Sequence, residues 1–202
     1  MKKVVIAEGN LRSGKKILYI NACVRKESRT NRLALELIER LDGNCCEIKL
    51  SDEKLHPLKD EQLLKRTKLI EKNDYSDAMF DCAKQFAAAD EIVISAPYWD
   101  FSFPAALKVY LENIYVIGIV SEYGADGVPQ GLCRAKTLYY VTTAGGPYLP
   151  DFSYDYIKTL ATVCFGIKNT AIIKAERLDE QGFDPDSILE RTVRDLDESI
   201  IR

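Results

Sequence analysis

Histidine is almost missing: His56 is the single one in 202 residues. Any Ser-His-Asp or Cys-His catalysis, and any multi-histidine zinc site, would have to run through that one side chain, so no metal site is expected. Long apolar runs are missing too. No stretch approaches the ~18 residues of a membrane span, so no membrane association is expected. The start of the chain holds only a short apolar run around Val4-Val5-Ile6. An export signal needs roughly 7–15 apolar residues there, so a cytoplasmic protein is expected. An excess of positive charge is lacking: 28 Lys+Arg against 31 Asp+Glu leave a net charge of -3. That argues against a nucleic-acid partner, which calls for a basic face. The six cysteines, Cys23, Cys45, Cys46, Cys82, Cys133 and Cys164, form no C-x-x-C. Most sit in apolar runs, which predicts buried, reduced thiols. Cys45 and Cys46 are poorly placed to pair, because strand neighbours point to opposite faces.

What the chain does contain is regular alternation. Its 47% hydrophobic content excludes a disordered chain, and its length suits one domain over residues 1–202. The run Ile17–Ile20 predicts a buried strand. Leu33, Ala34, Leu37, Ile38 and Leu41 recur at helical spacing, and Gly43 is placed as the glycine that closes that helix. Cys45 to Leu50 alternates apolar and charged residues, as an edge strand does. A polar helix follows from Asp60 to Asn73, then a helix capped by Ser76. Further strands are Glu91–Ser95, Thr137–Val141 and Thr170–Ile173. Helices are expected from Pro104 to Ile119, from Asp155 to Phe165 with Gly166 closing it, and after Asp184-Pro185. A long glycine-rich loop spans Ser121 to Cys133. Strands alternating with helices imply right-handed crossovers and a parallel sheet. Such sheets bind ligands beyond the carboxyl ends of their strands, so the loops after strands one, three and four should carry the function.

One phosphate-loop match dissolves on inspection. Gly9 to Lys16 approaches G-x-x-x-x-G-K-[ST], but Lys16 replaces the hydroxyl residue and a strand follows instead of a helix. The better reading is a turn after an extra N-terminal strand, Val4-Val5-Ile6, within an N-terminal extension of residues 1–16.

Three loops converge on a different ligand. Asn21 to Asn31 runs into a helix start, with Ser28 and Thr30 as capping hydroxyls and Arg29 between them. A helix start offers free N–H groups and a partial positive charge, so these residues suit a phosphate monoester; plain capping of a surface helix is the alternative. The second loop, Ala96 to Pro104, holds the only Trp and two Phe where loops are usually polar. Pro97, Tyr98, Trp99, Asp100 and Phe101 suit a planar heterocycle; an aromatic dimer patch is the alternative and does not exclude it. The third, Thr142 to Tyr148, has paired glycines that let backbone approach a ligand, or that merely turn the chain. Together they describe FMN. An aspartyl-phosphate receiver shares the sheet order but needs acids after strand one, where Asn21-Ala22-Cys23 stand.

The chain also resembles a known family. Residues 89–108, ADEIVISAPYWDFSFPAALK, resemble AD-x-I-V-x-x-x-P-M-Y-N-F-S-I-P-A-x-L-K of the flavodoxin-like NAD(P)H quinone reductases and FMN-dependent NADH azoreductases. Tyr123 with residues 127–132 resembles their Y-x-x-x-G-P-x-G-L loop, and Thr143-Ala144-Gly145-Gly146 stands where they have S-R-G-G. Tyr156-Ile157 through Phe165-Gly166-Ile167 resembles their Y-L…F-G-I segment. The likeness covers about residues 17–177. It implies an α/β, flavodoxin-like three-layer sandwich with a five-stranded parallel sheet of order 2-1-3-4-5. It implies a homodimer with FMN at the interface and NADH or NADPH as co-substrate. A quinone, azo compound or similar acceptor would take the hydride from flavin N5. By the resemblance, Ser28, Arg29 and Thr30 hold the phosphate. Pro97 to Phe101 line the isoalloxazine, and Thr143, Ala144, Gly145 and Gly146 meet its polar edge. Tyr123 and Tyr148 shape the acceptor pocket, and no side chain is assigned as catalytic. Three departures stand out: Asp100 for Asn, Ala144 for Arg, and Ala22 where serine is common. They motivate two alternatives, an FMN electron-transfer protein without its own NAD(P)H site and a relative that has lost FMN.

Overall fold

A computed structural model describes residues 14–149, 152–196 and 200. The N-terminal strand expected at Val4-Val5-Ile6 and most of the Gly9–Lys16 turn lie outside those residues. Strand β1 runs Lys16–Asn21, β2 Asn44–Lys49, β3 Glu91–Ser95, β6 Thr137–Thr143 and β7 Asn169–Ala175. They form one parallel sheet in the order β2-β1-β3-β6-β7, which is the expected 2-1-3-4-5 once the short strands are set aside. As expected, β2 is an edge.

The alternation of side chains explains the layers. Leu18, Ile20, Ile92, Ile94, Leu138 and Tyr140 point to one face and join Phe80, Phe86, Leu107, Leu111 and Phe165. Ile17, Tyr19, Val93, Tyr139 and Val141 point to the other and meet Leu33, Leu37, Ile38 and Leu189. Both faces of the central strands are therefore apolar, as a sheet covered on both sides requires. Each large side chain so buried contributes about 1.5–3 kcal/mol. Helices α1 (Arg29–Arg40) and α6 (Pro185–Arg194) cover the second face. Helices α3 (Asp81–Ala88), α4 (Ala105–Ile114) and α5 (Tyr154–Thr159), the last continued by a π-helical turn over Leu160–Cys164, cover the first. Helix α2 (Asp60–Glu71) buries no residue fully.

Several boundaries differ from expectation. The left-handed residue after α1 is Asp42 (φ 41°), not Gly43. Gly43 is needed for another reason: a Cβ there would lie 2.9 Å from Ile17 Cδ1 and 3.0 Å from the Lys15 carbonyl. The cap before α3 is Asp77, whose carboxylate accepts from Met79 N at 3.0 Å and starts a 3₁₀ turn over Ala78–Phe80. Ser76 instead hydrogen-bonds Asp74. Helix α4 stops at Ile114, five residues short of expectation, because fully buried Val116 and Val120 pull the chain inward. The segment expected as a loop after it contains a hairpin, β4 (Ser121–Tyr123) with β5 (Pro129–Gly131). None of the six cysteines is in a disulfide; Cys23 alone is buried, and Cys46 is exposed on the edge strand. No helix among the described residues is long and apolar enough to cross a membrane.

Candidate active site

The first loop leaves β1 at Asn21 and enters α1 at Ser28. The Ser28 hydroxyl accepts from Asn31 N at 3.2 Å, and no acidic residue occupies the first turn. The N–H groups of Arg29 and Thr30, ahead of that capped donor, have no intrahelical acceptor. The helix start is held to the sheet by a polar cluster. Tyr19 Oη donates to Asn31 Oδ1 at 2.6 Å and meets Ser95 Oγ at 2.8 Å. Asn21 Nδ2 donates to Asn31 Oδ1 at 3.0 Å and to Glu47 Oε1 at 2.8 Å. Burial raises the Cys23 thiol above the ordinary cysteine value, so this cysteine is a packed thiol and not a nucleophile.

The third loop is fastened to the first and to the end of β7. Buried Thr30 and half-buried Thr143 share a hydroxyl–hydroxyl contact of 2.6 Å. Leu178 N donates to the Ala144 carbonyl at 3.2 Å, Asp179 N to that of Gly145 at 2.9 Å, and Arg177 N to that of Gly146 at 2.9 Å. Arg29 reaches across to the same segment, with NH1 2.7 Å from Asp179 Oδ1 and 3.4 Å from the Leu178 carbonyl.

The second loop continues the β3–β6 ladder, since Tyr98 N donates to the Thr143 carbonyl at 3.0 Å. It then reverses sharply. Trp99 and Ser102 exchange backbone bonds of 3.0 and 2.8 Å, and the residues between them, Asp100 (φ 50°) and Phe101 (φ 65°), are both left-handed. That is the backbone of a tight hairpin turn that ordinarily takes Asn-Gly. Asp tolerates the left-handed region, whereas a bulky aromatic there is strained by about 1–3 kcal/mol. Trp99 and Phe101 remain 42% and 53% exposed. Phe101 stands edge-on to Tyr98, and Tyr98 packs on Tyr148 with ring centres 4.4 Å apart.

These loops enclose a cleft of about 390 Å³, walled by Val24, Arg25, Glu27, Ser28, Arg29, Thr30, Pro97, Tyr98, Trp99, Thr143, Ala144, Gly145, Leu178 and Asp179. Of the residues expected from sequence, Ser28, Arg29, Thr30, Pro97, Tyr98, Trp99, Thr143, Ala144 and Gly145 meet in its wall. Asp100 and Phe101, which follow Trp99, and Tyr148, which packs on Tyr98, are not part of the wall, and the Gly146 carbonyl is turned to Arg177. Tyr123 lies on the exposed hairpin strand β4, outside the wall. Asp179 and Leu178 were not expected. They follow β7, the neighbour of β6, so the strand order itself was the available signal.

The cleft volume falls within the ~300–1,000 Å³ of small-molecule sites. Hydroxyls, a guanidinium and a helix start line it together with flat aromatics and the backbone of the third loop. That donor set fits FMN.

A family model described as a flavodoxin-like fold matches residues 15–200. A Clostridium beijerinckii protein named FMN-dependent NADH:quinone oxidoreductase is 35% identical over 190 residues, covering 88% of this chain and 94% of the relative. One of the same name from Clostridium perfringens is 31% identical over 189 residues, with the same coverage of each. Among solved structures, a Bacillus anthracis azoreductase superposes with a TM-score of 0.77 at 18% identity, over 91% of this chain and 97% of that one. A Bacillus anthracis FMN-dependent NADH-azoreductase in complex with FMN gives 0.74 at 22%, over 91% and 96%. The family model and the two Clostridium relatives cover nearly the whole chain, and the azoreductases share its fold: the chain belongs to the flavodoxin-like family that includes the FMN-dependent NADH:quinone oxidoreductases.

Proposed function

We propose that this protein is an FMN-dependent oxidoreductase that passes hydride from NADH or NADPH to a quinone, an azo compound or a similar acceptor. The observation that carries the proposal is the cleft itself, in which phosphate donors at the start of α1 line the same ligand-sized space as Tyr98 and Trp99. The relatives' names support the chemistry. Bound FMN would supply a ring able to accept hydride at N5 and pass it on.

The chain's residues bind, orient and shield. Ser28, Arg29 and Thr30 hold the phosphate through hydroxyls, a guanidinium and backbone N–H groups. Pro97, Tyr98, Trp99, Asp100 and Phe101 flank the isoalloxazine. Thr143, Ala144, Gly145 and Gly146 contact its polar edge. Asp100 offers a carboxylate as acceptor for a ring N–H. Tyr148, packed on Tyr98, and Tyr123 shape the acceptor pocket. Half-exposed Trp99 and Phe101 support a homodimer in which a second copy covers the site, with Tyr123 reaching the partner's flavin. The whole chain acts as a single domain in the cytoplasm. Purified protein supplied with FMN should turn yellow and oxidise NADH or NADPH with a benzoquinone or azo dye, in ping-pong fashion. Protein that keeps no yellow colour once excess FMN is removed overturns the proposal.

A further inference from the structure

We propose that Asp179 is a built-in counter-ion at the phosphate end of the cleft. It competes with the FMN phosphate for Arg29 and thereby sets how tightly the cofactor is held. The inference rests on the FMN reading above and goes beyond it by assigning a residue outside the three loops.

Both members of the pair line the cleft. Arg29 is the first residue of α1, and its NH1 lies 2.7 Å from Asp179 Oδ1. The acid is held there by backbone, because Asp179 N donates to the Gly145 carbonyl at 2.9 Å. It is seated by what position 145 lacks. A Cβ on Gly145 would stand 2.5 Å from Asp179 Oδ2 and push the carboxylate away from the arginine. No acid occupies the first turn of α1 itself, and Asp179, from the segment after β7, brings one to its first residue. A negative group beside a helix N-terminus and a guanidinium stands where a phosphate is favoured.

The pair is made to be exchanged. Its side chains are 42% and 68% exposed, and ion pairs in such surroundings are weak. A phosphate dianion presents more charge and more acceptor oxygens than one carboxylate. Arg29 therefore changes partner when the phosphate arrives. The Asp179 carboxylate then remains near a like charge, which lowers the affinity for FMN. Riboflavin has no phosphate and should not feel the acid.

The test is fluorescence titration of the full chain with FMN and with riboflavin, in wild type, Asp179→Asn and Asp179→Ser. Asparagine keeps the size against Gly145 and the backbone bonds; melting curves confirm that each variant is folded. The expected result is FMN binding about 3- to 10-fold tighter in both variants, with riboflavin affinity unchanged. Wild type that binds FMN while the variants bind it equally or more weakly overturns the role of Asp179 and leaves the FMN reading intact. Equal tightening for riboflavin also overturns it, since the effect then does not act through the phosphate. Absence of FMN binding in every form overturns both readings.

Discussion

Phe101 holds a backbone conformation that its own side chain resists, at φ 65° beside Asp100 at φ 50°. Its ring is more than half exposed, so packing does not repay the strain. Phe101→Gly should therefore raise thermal stability by about 1 kcal/mol while weakening FMN binding, which paired melting and titration curves read together. A variant that melts lower would show that the ring's contact with Tyr98 outweighs the backbone strain. Arg29 belongs to the same scale. Charge-assisted hydrogen bonds are worth about 1.5–3 kcal/mol, so Arg29→Ala should weaken FMN about 10- to 100-fold and leave riboflavin unaffected. Ser28, Arg29 and Thr30 were legible in the sequence because capping hydroxyls beside a cation carry their own chemistry. The Thr30–Thr143 pairing was not, since it joins side chains 113 positions apart. Asp179 was hidden for the same reason.

At the scale of elements, the parallel strands were legible, and so were the caps Ser28 and Asp184, but two other helix ends were not. Two-residue alternation with apolar character on both faces marks β1, β3 and β6 unmistakably. Helix ends turn on single contacts: Asp42 rather than Gly43 turns left-handed, and Asp77 rather than Ser76 accepts from the next turn. The hairpin β4–β5 escaped because its strands are only three residues each. It is docked by Gly131 against the backbone of Phe165 and Gly166, where any Cβ would collide. Gly131→Ala should cost about 1–3 kcal/mol by overpacking and shift the hairpin that carries Tyr123. Unchanged melting would show that the hairpin docks loosely. Helix α6 tests a pH effect. Asp184 accepts from Asp186 N and Ser187 N at its start, and the Ser187 hydroxyl, then its backbone, hold the Asp184 carboxyl below the ordinary aspartate value. A lowered folded-state value contributes stability above the unfolded value near 3.9, and that contribution is lost as pH falls through the folded value. Asp184→Ala should thus lower the melting temperature by a few degrees at neutral pH and by less near pH 3. An equal loss at both pH values would rule out the ionised cap.

For the whole molecule, the walls of the cleft come from residues 24–25, 27–30, 97–99, 143–145 and 178–179, distributed over most of the chain. None of these segments meets another until β1, β3, β6 and β7 are paired, and β3 pairs with strands that lie far from it in sequence. A ligand of this cleft therefore has nothing to grip on a partly assembled chain. It binds only the finished sheet, and mass action then returns its binding energy as resistance to unfolding, about 2.7 kcal/mol at a hundredfold excess over Kd. Added FMN should raise the melting temperature, and it should leave the refolding rate unchanged because the site does not exist before the rate-limiting pairing. In a pool of newly made protein, yellow colour would then count the chains that have completed folding.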